Sequence, residues 1–205
     1  MRVIASELGG RRLQAPRGLA TRPTAERVRE ALFSMLGPLE GAVVLDLFAG
    51  SGALGIEALS RGAARATFVE RAPSALAALH ANLVALELGE RARVISGDAL
   101  VALRGTDKYD LVFLDPPYAF APALAGALSR ELPGVLRPGA RVVSESDRRA
   151  PLELGLALQR ERRYGDTMIR IHDTTVPDKT PLDATPGDAT SLEDHTSLHG
   201  PPTAR

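Results

Sequence analysis

The chain has 205 residues, 44% of them hydrophobic and 24% charged, which is enough for one α/β domain with a real core plus an extension. It has no cysteine, which excludes disulfide frameworks, thiolate metal sites and cysteine nucleophiles; no apolar run reaches the roughly 18–20 residues of a membrane span, and the start lacks a signal-peptide core, so a soluble, cytoplasmic protein is expected. The formal charge is zero, but residues 173–205 carry six acids against two bases, a net −4 that leaves +4 on residues 1–172.

Residues 1–14 alternate loosely around Gly9-Gly10 and predict a hairpin. Seven arginines fall in the first 30 residues (Arg2, Arg11, Arg12, Arg17, Arg22, Arg27, Arg29) against Glu7, Glu26 and Glu30. Clustered arginine suits phosphate binding, and it equally suits a solvated face. Pro16, Gly18 and Pro23 mark a loop. A helix follows from Thr24, with Val28, Ala31, Leu32, Met35 and Leu36 at helical spacing, Thr24 as cap and Gly37-Pro38 as stop. On an α-helix Arg27 and Arg29 do not share a face, so at most one of them meets a ligand.

Val43 to Phe48 reads as a buried strand. Gly50-Ser51-Gly52-Ala53-Leu54-Gly55 follows as G-x-G-x-x-G and opens a helix, Ala53 to Arg61, that Gly62 closes. Ala66 to Val69 predicts a second strand, and Glu70 stands at its end, 20 residues beyond Gly50. The spacing fits a nucleotide-type cofactor: glycines admit a ligand to the backbone, and a carboxylate grips a ribose diol. The pattern alone does not separate NAD from S-adenosylmethionine. Asp46, at the mouth of the glycine loop, does so better. A carboxylate there repels a pyrophosphate and attracts an ammonium and a sulfonium. Its alternative role is to orient the loop backbone.

Ser74 to Leu88 predicts a second helix closed by Gly89, and Val94-Ile95 begins a third strand. Asp98, in Ser96-Gly97-Asp98-Ala99, is placed to accept from an adenine amino group, to cap a helix, or both. Leu111 to Leu114 is a fourth strand, Pro122 to Leu132 a helix, and Arg141 to Ser144 a fifth strand. Arg160–Tyr164 and Met168–Ile171 look like a closing pair. Strands alternating with helices imply a mostly parallel sheet covered on both faces. The tail after about residue 173 is rich in Thr, Pro, Asp and Gly, so disorder is expected there. Its histidines, His195 and His199, have no third ligand near, and no metal is expected.

Asp115-Pro116-Pro117-Tyr118 ends the fourth strand, where ligands sit in such sheets. The prolines fix a turn and leave carbonyl acceptors exposed. With Asp115 they supply two acceptors for one NH₂ group, localising its lone pair for attack on a methyl carbon. Tyr118 offers a face on which a base can stack.

In this order the segments Asp46–Gly52, Glu70, Gly97-Asp98-Ala99 and Leu114–Tyr118 resemble the Rossmann-like amino-methyltransferases. Three further segments resemble the bacterial 16S rRNA guanine-N2 methyltransferases of the RsmD type: Met1–Ala5 with Gly10–Leu13, Thr21–Thr24 with Arg27–Phe33, and Arg163-Tyr164-Gly165-Asp166-Thr167. The likeness covers about residues 1–172. It implies methylation of a guanine N2 in 16S rRNA of the small subunit, with S-adenosylmethionine over Gly50, Gly52, Glu70 and Asp98. Asp46, Phe48 and Ala99 join the same cofactor-facing set. It implies an acceptor amino group at Asp115 and Pro116 beside Tyr118, with Pro117, Arg11, Arg12, Arg22, Arg27 and Arg29 on the substrate side. The expected organisation is a basic hairpin and helix over 1–40, a catalytic domain over 41–172 and the tail, acting as a monomer without metal. Rival expectations are a DNA adenine-N6 or protein glutamine methyltransferase, an NAD-dependent oxidoreductase, and a non-catalytic RNA-binding module.

Overall fold

The computed structural model describes residues 1–16, 23–117 and 121–174. Arg22, Tyr118, the side chain of Thr24 and the expected disorder of the tail with His195 and His199 lie outside the described residues. The helices are α1 (Pro23–Leu36), α2 (Ala53–Ser60), α3 (Pro73–Ala85), α4 (Ala99–Ala102) and α5 (Ala121–Glu131). The strands are β1 (Val43–Asp46), β2 (Arg65–Glu70), β3 (Ala92–Ser96), β4 (Tyr109–Leu114), β5 (Leu136–Asp147), β6 (Ala157–Tyr164) and β7 (Thr167–Asp173).

They form one seven-stranded sheet in the order β3-β2-β1-β4-β5-β7-β6. Strands β1 to β5 pair in parallel; β7 lies antiparallel between β5 and β6. The mostly parallel α/β sheet expected from the alternating pattern is present, and the expected closing pair of strands joins it antiparallel. Burial on both faces explains why the central strands read as continuous apolar runs. Val44, Phe68, Leu111 and Phe113 pack into one core with α1, α2 and α3. Leu45, Val69, Val112 and Leu114 pack into the other with α4 and α5. The chain runs outward from β1 through β2 to β3, then returns to place β4 on the other side of β1. The crevice for a ligand therefore opens where β1 and β4 diverge.

The expected amino-terminal hairpin is present but short: Arg2 bridges Arg12, and Val3 N–H donates to the Arg11 carbonyl, Leu13 N–H to the Met1 carbonyl and Gly10 N–H to the Val3 carbonyl, around a 3₁₀ turn at Ser6–Leu8. The reason lies in where the backbone groups go. Ile4 N–H donates to Glu57 Oε2 at 2.7 Å, Leu8 N–H to Ser60 Oγ at 3.0 Å and Gln14 N–H to Asn82 Oδ1 at 2.7 Å. Side chains of α2 and α3 thus take backbone N–H groups that the short hairpin does not pair, and Val3, Leu8 and Leu13 join the core. Strand β5 is also longer than the four residues expected. Its register against β4 jumps from Tyr109–Leu136 to Leu111–Arg141, absorbing the Pro138-Gly139 kink that masked its first half.

Candidate active site

Beyond the carboxyl ends of β1, β2, β4 and β5 lies a cavity of about 890 Å³. The glycine loop, the turn after β2, the start of α4 and the Asp115-Pro116-Pro117 turn all line it. Met1, Ala15 and Pro16 of the amino-terminal arm and Val28, Arg29 and Leu32 of α1 close one side. The turns after β1 and β4 share this cavity because their strands are neighbours, with Asp46 paired to Phe113.

Five carboxylates reach it: Asp46, Glu70, Asp98, Asp115 and Glu145. Three of them hold backbone with part of their acceptor capacity. Asp46 is buried, and its Oδ2 accepts from Gly55 N–H at 2.9 Å. Glu70 Oε2 accepts from Gly50 N–H at 2.9 Å, while Oε1 accepts from Arg71 and Ala72 N–H, both at 2.7 Å. Asp98 caps α4, with Oδ1 accepting from Leu100 N–H at 2.9 Å and Val101 N–H at 3.4 Å. A carboxylate has about four lone-pair positions, so each keeps acceptor capacity beyond these bonds. The loop-orienting role of Asp46 and the capping role of Asp98, both weighed as alternatives, are present in the structure.

Burial pushes the Asp46 carboxyl up to about 7, against the lowering effect of the Gly55 bond, and the charge of Glu70 raises it further. Asp115 is pushed well above the usual carboxylate range, first by burial, then by the charges of Glu145 and Asp46. With five acids against Arg29 and Arg71, the described lining of the cavity favours a cationic ligand over a pyrophosphate.

Phe48, Gly50, Glu70, Asp98, Ala99, Asp115, Pro116 and Pro117 all line the cavity with Asp46. Gly52 does not. It sits behind the loop at φ 85°, where a Cβ would fall 2.5 Å from Leu79 Cδ1. Gly55 likewise leaves room for Phe68, whose ring a Cβ would overlap. Of the arginines, Arg29 lines the cavity while Arg27 is exposed on the other face of α1. Arg29 is 5% exposed; it donates to the Arg2 carbonyl, and its Nε has no partner among the described residues. Burial lowers its pKa, opposed by Glu57 and Glu26; a guanidinium stays charged regardless. Arg11 is spent on the Ala85 carbonyl at 2.7 Å, and Arg12 is exposed away from the cavity.

Sequence reading missed Glu145 and Asn82. Glu145 belongs to no motif; its one signal is a lone acid in Val142-Val143-Ser144-Glu145, at the carboxyl end of a buried strand. Asn82 Nδ2 bridges the Ser51 carbonyl at 2.9 Å and the Gln14 carbonyl at 3.0 Å, tying the glycine loop to the arm. Nothing in a helix reading of residues 74–88 distinguishes it from a surface asparagine.

The family model described as conserved hypothetical protein 95 matches residues 1–173. YlbH of Bacillus subtilis, provisionally named an rRNA methyltransferase, is 41% identical over 180 residues, covering 84% of this chain and 98% of that protein. Ribosomal RNA small subunit methyltransferase D of Escherichia coli is 46% identical over 121 residues, covering 58% of this chain and 60% of that protein. Among solved structures, YhhF of Escherichia coli, provisionally named a methyltransferase, superposes with a TM-score of 0.75 at 37% identity, covering 84% of this chain and 97% of that one.

Proposed function

The chain belongs to the family of conserved hypothetical protein 95, the RsmD-type methyltransferases, and on that footing we propose that it transfers a methyl group from S-adenosylmethionine to the exocyclic N2 amino group of a guanine in the 16S rRNA of the small ribosomal subunit. The observation that carries this reading is the shared cavity of the glycine loop and the Asp115-Pro116-Pro117 turn. An amino group held at the second lies beside whatever is held at the first.

The donor set fits the cofactor. Asp46 and its neighbouring acids suit an ammonium and a sulfonium. Glu70, with three of its lone pairs on backbone N–H groups, keeps one for a ribose hydroxyl. Asp98 Oδ2, which lies 3.9 Å from an Arg71 guanidinium nitrogen and accepts no backbone bond among the described residues, keeps lone-pair capacity for an adenine amino group. Phe48 and Leu100 supply apolar walls for the adenine. When bound there, S-adenosylmethionine supplies an electrophilic methyl group on cationic sulfur.

The chain's own residues prepare the acceptor. The Pro116 carbonyl and the Asp115 carboxylate take the two amino hydrogens, which orients the nitrogen and localises its lone pair. Methylation makes the nitrogen acidic, and a proton must leave. A carboxylate of ordinary pKa is a poor base, but the raised Asp115 is better matched to that task. Arg12 and Arg27, exposed near the arm and α1, are available to RNA phosphates.

The test supplies unmodified small-subunit rRNA, DNA and a protein glutamine acceptor with labelled methyl donor. We expect label in the rRNA, recovered after digestion as N2-methylguanosine. Asp115→Ala should lower turnover by about 10²–10³ while leaving cofactor affinity within about twofold. Label entering only DNA or only protein overturns the substrate assignment.

A further inference from the structure

Glu145 stands beside Asp115. Leu114 pairs with Ser144 across β4 and β5, and Phe113 with Val143. Strand alternation puts Asp115 and Glu145 on the same face as Phe113 and Val143, the face that packs against α1 and α2. Both carboxylates line the one cavity. Sheet order decides what each flank of Asp115 does. On the β1 flank lie Asp46 and the glycine loop; on the β5 flank lies Glu145. An acceptor base whose amino group rests at Asp115, with the methyl donor on the β1 flank, turns the rest of its ring edge toward Glu145.

The charges argue the same way. The charge of Glu145 raises the affinity of Asp115 for a proton, second only to burial. A ligand edge carrying several N–H donors relieves that conflict without a net proton. Guanine presents such an edge: N1–H next to the N2 amino group. Adenine and 2-aminopurine present a lone pair at N1, which a carboxylate repels. Resting on the guanine reading above, we infer that Glu145 accepts the N1–H of the target guanine and selects guanine against bases with an unprotonated N1. An extruded base is read on this Watson–Crick edge in other nucleic-acid enzymes.

The experiment uses the full chain. The methylated nucleotide is first mapped in unmodified rRNA, and RNA is then prepared with guanine or 2-aminopurine at that position. 2-Aminopurine keeps the C2 amino group and lacks N1–H. We expect the wild-type protein to prefer guanine by about 100-fold or more in kcat/KM, the size of discrimination left by an unpaired polar group in a site built for a hydrogen bond. Glu145→Gln offers an amide N–H to the N1 lone pair, and should narrow that preference by about tenfold or more with unchanged cofactor affinity. Where Glu145→Gln turns over too slowly, the ratio of equilibrium affinities for the two RNAs, read by 2-aminopurine fluorescence with the guanine RNA as unlabelled competitor, replaces the rate ratio. A wild-type preference below about threefold, or an unchanged preference in Glu145→Gln, overturns the role of Glu145 alone. No methylguanosine anywhere in the rRNA overturns the guanine reading itself, and this inference with it.

Discussion

At the scale of single residues, Asp46 combines a structural bond with a place in the cavity wall. Its bond to Gly55 N–H fixes the start of α2, and burial keeps its pKa about 7 against an ordinary 3.8. Between those values the unfolded chain has lost a proton that the folded protein still holds. The stabilisation is therefore complete below about pH 4 and declines as pH rises through about 7. Asp46→Asn keeps an acceptor for Gly55 N–H and removes the titration. Thermal melts from pH 4 to 8 should show the wild type losing stability relative to this variant as pH rises; parallel curves would contradict the assignment. A cationic cofactor favours the ionised form, so its binding near pH 6 should release a proton, detectable by calorimetry in buffers of different ionisation enthalpy. Asp46→Asn should release less and bind about tenfold more weakly, the equivalent of one pKa unit.

At the scale of elements, the glycine fingerprint divides its labour. Gly50 faces the cavity, whereas Gly52 and Gly55 let α2 settle on β2 and α3. In Gly55→Ala the new methyl must displace the Phe68 ring, and overpacking of this kind costs about 1–3 kcal/mol. A Tm lower by roughly 3–10 °C is expected for a chain of this size. Gly55→Ala with Phe68→Leu should recover part of that loss, and strict additivity of the two changes would show that the clash is not the cause. The arm is held by a different device. Glu57, 0% exposed inside α2, is paired with Arg61 at 2.8 Å and with the Ile4 N–H, and Arg61 in turn lies over the Phe33 ring. Through Asn82 and Glu57 the arm reaches both ends of the segment that shapes the glycine loop.

At the scale of the whole molecule, charge is distributed unevenly. Strand β6 is one of the two sheet edges, and Arg160, Arg162 and Arg163 along it are exposed. Charged side chains there discourage pairing with another sheet, and they also extend the basic character of residues 1–172. The segment after Thr174 carries five acids and two bases, so truncation after Thr174 leaves a net +3 on a formally neutral protein. Long-range attraction to RNA should then strengthen. We expect the truncated protein to bind rRNA severalfold more tightly at low salt, with the difference fading near 0.5 M salt and kcat within about twofold. A loss of turnover would instead place the tail in the chemistry.

The sequence by itself determined a mostly parallel sheet and the position of the glycine loop and the Asp115-Pro116-Pro117 turn. Those properties are local: hydrophobic runs, glycine at a tight bend, proline after a strand, each readable within a few residues. It also determined which residues gather, since Asp46, Glu70, Asp98 and Asp115 all end strands on the same side of a parallel sheet. Only the tertiary structure decided what depends on neighbours far apart in the chain. Backbone N–H groups that the arm's short hairpin does not pair go to Glu57, Ser60 and Asn82, 52 to 68 residues away. Arg29, and not Arg27, turns to the cavity because α1 packs on one face. Glu145 becomes a neighbour of Asp115 only through the pairing of β4 with β5, a contact between strands separated by a helix that no local pattern encodes.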